Sequence, residues 1–329
     1  MPTFALYSRV GTGQQPFTDT VIDFLRQNGC GVVLHKNIFS KSSDFQCFET
    51  NLDLQQIDCV DFMVSIGGDG SFIDSANLIG DLNIPLVGIN TGRIGFLSAI
   101  KKDNFEASIR MLIEKKYSLE SRSLLHIEGS EPLSLDTHFV VNDVTIRATD
   151  SDSINAITVT TDGKHINTYW ADGLIVATPT GSTAYSMSCG GPILHPQTDV
   201  VVLTPIASHS LSVRPLVIPA TQVLDIAVSG RGGRYSLCVD TQRLILNDNV
   251  KLRISKEKFT IQTVLFDNTN FYSTIREKTA LGVGQTQRLK NLQNGVSFST
   301  ILCLFFYRNI KSQNRIIFNF VRLKVIARF

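Results

Sequence analysis

The sequence predicts two halves of different fold class, an N-terminal α/β half and a C-terminal all-β half. Up to about residue 118, short apolar runs such as 60–66 alternate with segments of helical periodicity, which is the pattern of a parallel sheet covered by helices. Beyond about residue 120, short runs rich in Val, Ile and Thr follow one another, which is typical of antiparallel sheets. We therefore predict a Rossmann-like parallel-sheet α/β domain followed by an antiparallel β-sandwich-like domain.

The elements of the N-terminal half follow from the spacing of its apolar residues. Uninterrupted apolar runs predict buried strands, and apolar residues three or four apart predict the buried face of a helix. Gly29 is a stop signal for the first helix, and Ser71 lies where we expect the N-cap of the second. The predicted strands are 4–8, 32–35, 60–66 and 84–89, and the predicted helices start near residues 17 and 71 and cover 104–114.

Turn signals separate the predicted strands of the C-terminal half. Asp162-Gly163 is typical of a two-residue hairpin turn, and the segment 230–233 indicates another such turn. The segment 183–188 is the one candidate for a helix in this half. The predicted strands are 139–146, 157–161, 174–177, 200–203, 223–228, 235–239, 250–254 and 260–266.

These patterns divide the chain into four segments. We expect an α/β domain at 1–118 and a β-rich domain at 119–270. A return segment at 271–290 is expected to pack on the first domain. The remainder, 291–329, is predicted to be a basic, apolar and poorly ordered extension.

Charge and composition exclude several classes of protein. Residues 285–329 carry eight Lys and Arg and no acidic residue, which leaves 23 basic against 29 acidic residues in the rest of the chain. A weakly acidic body is not a nucleic-acid-binding surface. The longest apolar run of the extension is seven residues, too short for stable membrane insertion, which takes about 20. The six cysteines and six histidines show no metal-ligand spacing, so we expect reduced thiols, a cytoplasmic protein and no dedicated metal site.

Gly67-Gly68-Asp69-Gly70 is the first stretch that suggests chemistry. It follows a predicted strand of the parallel sheet, and ligands bind at the carboxyl ends of such strands. The amides at the start of the next helix attract phosphate, and Asp69 could orient a hydroxyl nucleophile and accept its proton as a phosphoryl group arrives. The alternative is an aspartate that only caps the helix.

The second stretch, 178–192, begins with four Ser and Thr hydroxyls in eight residues after a predicted strand. It lacks the G-x-S-x-G spacing of a nucleophile elbow and the lysine of a P-loop. A Ser- and Thr-rich turn would explain it without any chemistry, but Gly190-Gly191-Pro192 adds a second constrained turn within a few residues. A carboxylate facing such a group of donors would suit a phosphate-handling site.

Together with three shorter motifs, these two stretches resemble the NAD kinase family over roughly residues 1–280. The resemblance implies transfer of the γ-phosphoryl group of ATP to the 2′-hydroxyl of the adenosine ribose of NAD, giving NADP and ADP. It also implies a divalent cation, Mg²⁺, that arrives with ATP, and a homo-oligomer, either dimer or tetramer, in which a neighbour completes the site. The motifs, in the order of the family, are 67–70, Asn142-Asp143, Asp172-Gly173-Leu174-Ile175, 178–192 and Arg214-Pro215-Leu216.

The same resemblance assigns roles to single residues, with Asp69 as the catalytic proton acceptor. Other interpretations of these residues stay open: Asn142-Asp143 could be a turn inside a hairpin, Tyr185 could be core packing, and Trp170 could be a hydrophobic plug. The implied NAD-binding residues are Asp69, Gly70, Asn142, Asp143, Ser153, Trp170, Asp172, Thr183, Ala184, Tyr185, Ser186, Met187, Ser188 and Gln242.

Several positions depart from the family pattern or stretch it. Ser153 and Trp170 align with family contacts that vary and are often basic. Asp74 stands where many members have a basic residue that faces phosphate, so we expect it to repel ATP unless a cation offsets it. The C-terminal pattern breaks at 275–281. A lipid or sugar kinase that shares the Gly-Gly-Asp turn, or a non-catalytic NAD(P)-sensing protein, therefore remains an alternative to an NAD kinase.

Overall fold

In the computed structural model the chain divides into two compact units, Met1–Thr274 and Ile275–Phe329. The elements and contacts below belong to the first unit, apart from the end of one helix that continues into the second. The extension predicted at 291–329 and most of the predicted return segment lie outside the residues that the structure describes. Those residues are 1–9, 15–38, 45–92, 95–149, 155–230, 232–267 and 270–279.

A parallel sheet covered by helices forms the N-terminal half, as predicted. Its strands are β1 (Thr3–Ser8), β2 (Gly31–His35), β3 (Gln46–Phe48), β4 (Phe62–Gly67), β5 (Leu86–Asn90) and β6 (Ile100–Lys101), and its helices are α1 (Gln15–Gln27), α2 (Asn51–Gln55), α3 (Asp69–Ile79) and α4 (Phe105–Ile113). The central order is β5-β4-β1-β2-β3, all in parallel.

Alternate residues of the central strands face different helices. Leu6 and Val64 share a core with residues of α1 and α4, whereas Ala5 and Met63 share one with residues of α2 and α3. This burial on both faces explains why β4 and β5 read as uninterrupted apolar runs.

Two details of this half differ from prediction. The N-cap of α3 is Gly68 rather than Ser71, because the chain passes from the last residue of β4 into the helix through one extended glycine. The short helix α2 was not predicted, although it begins with a capping box. In that box Thr50 and Asp53 bond each other's backbone.

The C-terminal half contributes antiparallel strands to two sheets. The elements are β7 (Ser118–Gly129), β8 (Phe139–Val140), β9 (Asp143–Ala148), β10 (Asn155–Thr161), β11 (Lys164–Ala171), β12 (Gly173–Ala177), α5 (Tyr185–Ser188), β13 (Val200–Ile206), β14 (Leu216–Pro219), β15 (Leu224–Ser229), β16 (Arg234–Val239), β17 (Gln242–Asn247), β18 (Leu252–Leu265) and α6 (Phe271–Thr279). Within the described residues, one sheet has the order β14-β13-β12-β9-β16-β17.

An apolar core fills the space between this sheet and the antiparallel part of the other one. Ile157 and Val159 of β10 lie in that core with Leu174 and Val176 of β12. The sandwich-like prediction is therefore confirmed for this half.

The two halves join through β18, a contact that the sequence does not predict. This strand pairs antiparallel with β7 and β15 and, through Thr263 and Leu86, in parallel with β5. Strands of both halves thus share this sheet, which connects the parallel strands to the antiparallel β7, β10, β11 and β15.

The predicted turns had different outcomes. Asp162 and Gly163 connect β10 and β11 as a hairpin, with φ of 48° and 71°, as a two-residue turn requires. The segment 230–233 is not a hairpin turn, because β15 pairs with β10 and β18 whereas β16 pairs with β9 and β17. It carries the chain from one sheet to the other.

Candidate functional site

Asp69 lies where β4 ends and α3 begins, at the carboxyl edge of the parallel sheet. Its half-buried carboxylate accepts two backbone hydrogen bonds from the loop after β5. The N–H of Phe96 donates to Oδ2 at 2.8 Å, and the N–H of Leu97 donates to Oδ1 at 3.2 Å. We call these two N–H groups the amide pair. They hold the carboxylate at the sheet edge, so Asp69 is not simply a helix cap.

Gly95 makes this position of the carboxylate possible. A Cβ atom at Gly95 would lie 1.8 Å from Asp69 Oδ1 and 2.4 Å from its Cγ, far inside the contact distance of about 3.5 Å. Only a residue without a side chain lets the loop approach so closely. Sequence reasoning missed Gly95, because its partner is distant in the chain and no local turn signal marks it.

Asp74, further along α3, is paired with Arg9 just beyond β1. Arg9 Nε lies 2.5 Å from Asp74 Oδ2, and Nη2 lies 3.0 Å from Oδ1. The Tyr7 hydroxyl also donates to Oδ2 at 2.9 Å, and burial together with the Asp74 carboxylate raises the pKa of Tyr7 to about 12. Arg9 Nη2 donates as well to the carbonyl of Gly70 at 3.2 Å. The cation that offsets Asp74 therefore comes from the same chain.

A third carboxylate, Asp240, fixes the backbone of the predicted Asn142-Asp143 pair. From the turn between β16 and β17, it accepts N–H bonds from Val141, Asn142 and Asp143 at 2.7, 2.8 and 3.1 Å. Burial raises the pKa of Asp143, and it raises that of Asp240 to about 7 despite the three donors. The hairpin interpretation of this pair is wrong, because β9 pairs with β12 and β16 and not with the preceding strand β8.

The second predicted stretch packs directly on Asn142. The N–H of Thr178 donates to the Asn142 carbonyl at 2.9 Å, and its hydroxyl donates to the Val141 carbonyl at 2.7 Å. A Cβ atom at Gly181 would lie 2.1 Å from the Asn142 carbonyl oxygen, so glycine is required for this approach. The structure thus brings together two motifs that are more than thirty residues apart in the sequence.

Two buried polar atoms at this contact have no protein hydrogen-bond partner among the described residues, namely Asn142 Oδ1 and Thr180 Oγ1. Leaving such an atom unpaired costs about 1–3 kcal/mol. Both atoms are candidates for a partner outside the chain.

The residues from Thr183 to Ser188 divide into structural and accessible groups. The Ser186 hydroxyl is fully buried and bonds Thr204 Oγ1 at 2.8 Å, and Thr183 donates to the Thr180 carbonyl at 3.1 Å. Tyr185 and Ser188 are exposed, and Ala184 and Met187 are half-buried. Tyr185 is therefore not a core residue.

Trp170 and Asp172 lie at the opposite end of β12 from the Asn142 contact. Gly173 of β12 is level with Arg147, and Ala177 is level with Asp143, so Asp172 is about 20 Å from Thr178 along the strand. Trp170 is 58% exposed, which rules out a hydrophobic plug. The N–H of His209 donates to the Trp170 carbonyl at 3.0 Å, and its ring lies 4.0 Å from the Asp172 carboxylate.

Gln242 and Ser153 are the last two of the predicted NAD-binding residues. Gln242, at the start of β17, accepts the N–H of Asp136 on Oε1 at 2.7 Å and donates to Thr137 Oγ1 at 3.4 Å. It therefore holds a neighbouring loop in the described structure. Ser153 lies outside the described residues.

One hydrophobic cluster connects the surroundings of Asp69 with those of Asn142. The cluster contains Phe72 of α3 and Val141, and Leu97 packs against it. Leu97 belongs to the amide pair, and Val141 precedes Asn142. Residues next to both predicted motifs thus belong to one hydrophobic cluster.

The described residues contain no group of three or more His, Cys, Asp or Glu side chains that could hold a metal ion. Asp69 and Asp74 already have partners in the amide pair and Arg9. This donor set fits a cation that is carried by substrate phosphates better than one caged by the protein.

Comparison with known proteins identifies the family of this fold and site. Residues 17–117 match the ATP-NAD kinase N-terminal domain, and residues 141–266 match the ATP-NAD kinase C-terminal domain. An NAD kinase of Cytophaga hutchinsonii is 41% identical over 265 residues, which are 80% of this chain and 87% of that protein. This chain belongs to the NAD kinase family. An NAD kinase of Flavobacterium psychrophilum is 37% identical over 81% of this chain and 93% of its own length.

Solved structures of an NADH kinase and of an NAD kinase share the fold. Yeast NADH kinase complexed with NADH has a TM-score of 0.77 at 20% identity, over 86% of this chain and 89% of that one. An NAD kinase from Archaeoglobus fulgidus in complex with ATP has a TM-score of 0.64 at 22% identity, over 83% and 98% of the two chains. The family assignment confirms a kinase enzyme and an NAD kinase, and it favours neither a lipid or sugar kinase nor a non-catalytic sensor.

In the part of the chain that the structure describes, no helix has the length and apolar content for a membrane crossing.

Asp240 makes the stability of this NAD kinase depend on pH in a predictable direction. Its pKa is about 7 in the folded protein against about 3.9 when unfolded. The folded state therefore binds the proton more tightly, and the stabilisation is lost as the pH rises towards 7. We expect the free energy of unfolding of wild type, compared with that of Asp240→Asn, to fall by up to about 3 kcal/mol between pH 5 and 7. This corresponds to about 1.4 kcal/mol for each pH unit between the two pKa values.

Urea unfolding of both proteins at pH 5, 6, 7 and 8 measures this difference. At pH 5 the folded protein holds Asp240 as a neutral acid, whose hydroxyl oxygen can still accept from one of the three N–H donors, whereas the NH₂ group of asparagine cannot. The Asn variant should therefore be less stable than wild type at pH 5. A constant difference between the two proteins over the whole range would contradict the assignment.

Proposed function

We propose that this NAD kinase transfers the γ-phosphoryl group of ATP to the 2′-hydroxyl of the adenosine ribose of NAD, with Asp69 as the general base. The observation that carries the proposal is the position of the Asp69 carboxylate, held by the amide pair at the carboxyl edge of the parallel sheet. Ligands of open parallel sheets bind at this edge. The solved relatives named for their complexes with NADH and ATP support the two substrates.

The chemistry needs little from the protein beyond position and charge. The 2′-oxygen forms a bond to the γ-phosphorus, the bond from that phosphorus to the β,γ-bridging oxygen breaks, and ADP leaves. The proton of the 2′-hydroxyl passes to Asp69. An ionised carboxylate has about four lone-pair sites, so the amide pair fixes its orientation and still leaves room to accept the ribose hydroxyl.

The NAD-binding surface is proposed to combine the Asn142 contact with the accessible part of 183–188. Asn142 can present donors and acceptors to an adenine amine or a ribose hydroxyl, and its unpaired Oδ1 supports such a role. The exposed Tyr185 ring can stack on a base. The proposed NAD-binding residues remain Asp69, Gly70, Asn142, Asp143, Ser153, Trp170, Asp172, Thr183, Ala184, Tyr185, Ser186, Met187, Ser188 and Gln242.

Two of these residues suggest that a second copy contributes to the site. Trp170 and Asp172 are exposed and lie at the far end of β12 from Asn142. We propose a homo-oligomer, dimer or tetramer, in which they reach the NAD of a neighbour. Sedimentation equilibrium of the purified chain tests this, and a monomer at assay concentration would contradict it.

The donor is proposed to bind as its Mg²⁺ complex, which supplies counter-charge as part of the substrate. The described cysteines are free thiols, and Cys30 is buried, which is compatible with the reducing cytoplasm. We place the reaction there, as a source of NADP for the cell.

An assay of the purified chain with NAD and Mg-ATP tests the function directly. We expect NADP and ADP in equal amounts, and no phosphorylation of 2′-deoxy-NAD, which lacks the acceptor hydroxyl. Fructose 6-phosphate and diacylglycerol serve as competing acceptors, and GTP and polyphosphate as competing donors. Failure to form NADP with any of these donors, or preferential use of the sugar or lipid, would overturn the proposal.

A further inference from the structure

Arg9 and Asp74 form an ion pair at the first turns of α3, close to the proposed general base. Arg9 binds Asp74 through Nε and Nη2, and Nη2 also reaches the carbonyl of Gly70, the residue after Asp69. The side chain of Arg9 is 40% exposed and that of Asp74 is 21% exposed. The guanidinium is therefore the more accessible member of the pair.

Gly70 shapes the space that the guanidinium occupies. A Cβ atom at Gly70 would lie 2.8 Å from Arg9 Nη1 and 3.1 Å from Cζ, closer than a packed side chain allows. The fourth residue of the Gly-Gly-Asp-Gly turn thus lets the planar cation lie against the start of α3. A merely local turn would not need this glycine, since its φ is not in the left-handed region.

The charges around Asp69 require such a cation if a triphosphate is to approach. Asp69 and Asp74 carry two negative charges on the first two turns of α3, and the donor brings several more. Phosphoryl transfer depends on neutralising this charge with Arg, Lys or a metal ion. Arg9 contacts both Asp74 and the backbone beside Asp69.

We propose that Arg9 is a donor-binding residue, which cancels the charge of Asp74 and presents its guanidinium to the phosphates of the nucleoside triphosphate. The planar fork of arginine suits two oxygen acceptors at once, so one guanidinium can hold a carboxylate and still face phosphate. Tyr7, whose hydroxyl donates to Asp74, steadies the carboxylate. This inference rests on the proposed function of the same site.

Two single substitutions separate this role from a structural ion pair. Arg9→Gln leaves the Asp74 carboxylate uncompensated beside the phosphates, so we expect the KM for Mg-ATP to rise at least tenfold while the KM for NAD changes less than twofold. Asp74→Asn keeps an acceptor for Arg9 and for Tyr7 but removes the negative charge, so we expect the KM for Mg-ATP to fall. A pair that only holds β1 against α3 would move both variants in the same direction.

Direct binding of Mg-ATP, measured by calorimetric titration of the full chain, accompanies the kinetics. If wild type binds Mg-ATP but makes no NADP, the proposed function fails, and the titrations of the two variants still decide the role of Arg9. If wild type is active and the two variants bind Mg-ATP equally well, Arg9 is not a donor-binding residue.

Arg9→Lys is the second variant, for the case that Arg9→Gln fails to fold. Lysine keeps the charge but not the planar fork, and we expect a KM for Mg-ATP raised at least threefold. An unchanged KM for Arg9→Lys would then overturn the proposal.

Discussion

Replacing Asp69 by asparagine is expected to lower kcat by about 10²–10⁴-fold, the usual contribution of general-base assistance, with little change in the affinity for NAD. Asparagine has nearly the same shape, and its amide oxygen can still accept one bond of the amide pair. It cannot take up the proton of the ribose hydroxyl at neutral pH. The loss should therefore appear in kcat and not in KM for NAD.

Asp53→Asn is a matched control for this substitution. Asp53 also lies in the first turn of a helix, and its carboxylate also accepts two backbone N–H bonds, from Glu49 and Thr50, both at 2.9 Å. Each Asn variant should lose about 1 kcal/mol of stability for a weakened backbone hydrogen bond. Only Asp69→Asn should lose turnover, which steady-state kinetics and urea unfolding of the two variants will measure. An Asp69→Asn enzyme with near-wild-type turnover would remove Asp69 from the role of base.

The predictable part of the fold is the part that local sequence encodes. The apolar runs that became β4 and β5 are buried on both faces, so their composition alone identifies strands of a covered parallel sheet. Asp162 and Gly163 mark their hairpin because two left-handed residues are needed there. The junction through β18 has no such local signature, since the pairing of Thr263 with Leu86 depends on the whole arrangement of the sheets.

The same distinction applies to the site. Asp69 is visible in the sequence because glycines surround it, but the amide pair that orients it comes from another loop. The sequence around Asp240 carries no local sign of its three hydrogen bonds, whose donors lie about a hundred positions earlier. Asp74 was expected to repel phosphate, and the structure supplies the cation from Arg9, 65 residues away. Side-chain partners that are distant in sequence therefore decide what a recognised motif can do.

Replacing Gly95 by alanine is expected to lower kcat about 10²-fold while leaving the fold and the affinity for NAD largely intact. The new methyl group would take the place of Asp69 Oδ1, which is 1.8 Å from the ideal Cβ position. The carboxylate is the end of a short side chain and can rotate away, so the substitution displaces the base rather than the backbone. A displacement of about 1 Å at a reacting group costs about 10²-fold in rate.

Gly92→Ala provides the control within the same loop. A Cβ atom at Gly92 meets nothing within 4 Å, and its N–H, which donates to Asn90 Oδ1 at 2.8 Å, is retained in alanine. We expect near-wild-type kcat for Gly92→Ala and a loss for Gly95→Ala that is not additive with Asp69→Asn, because the double variant has no base left to displace. If the effects of Gly95→Ala and Asp69→Asn multiply, Gly95 acts through something other than the carboxylate.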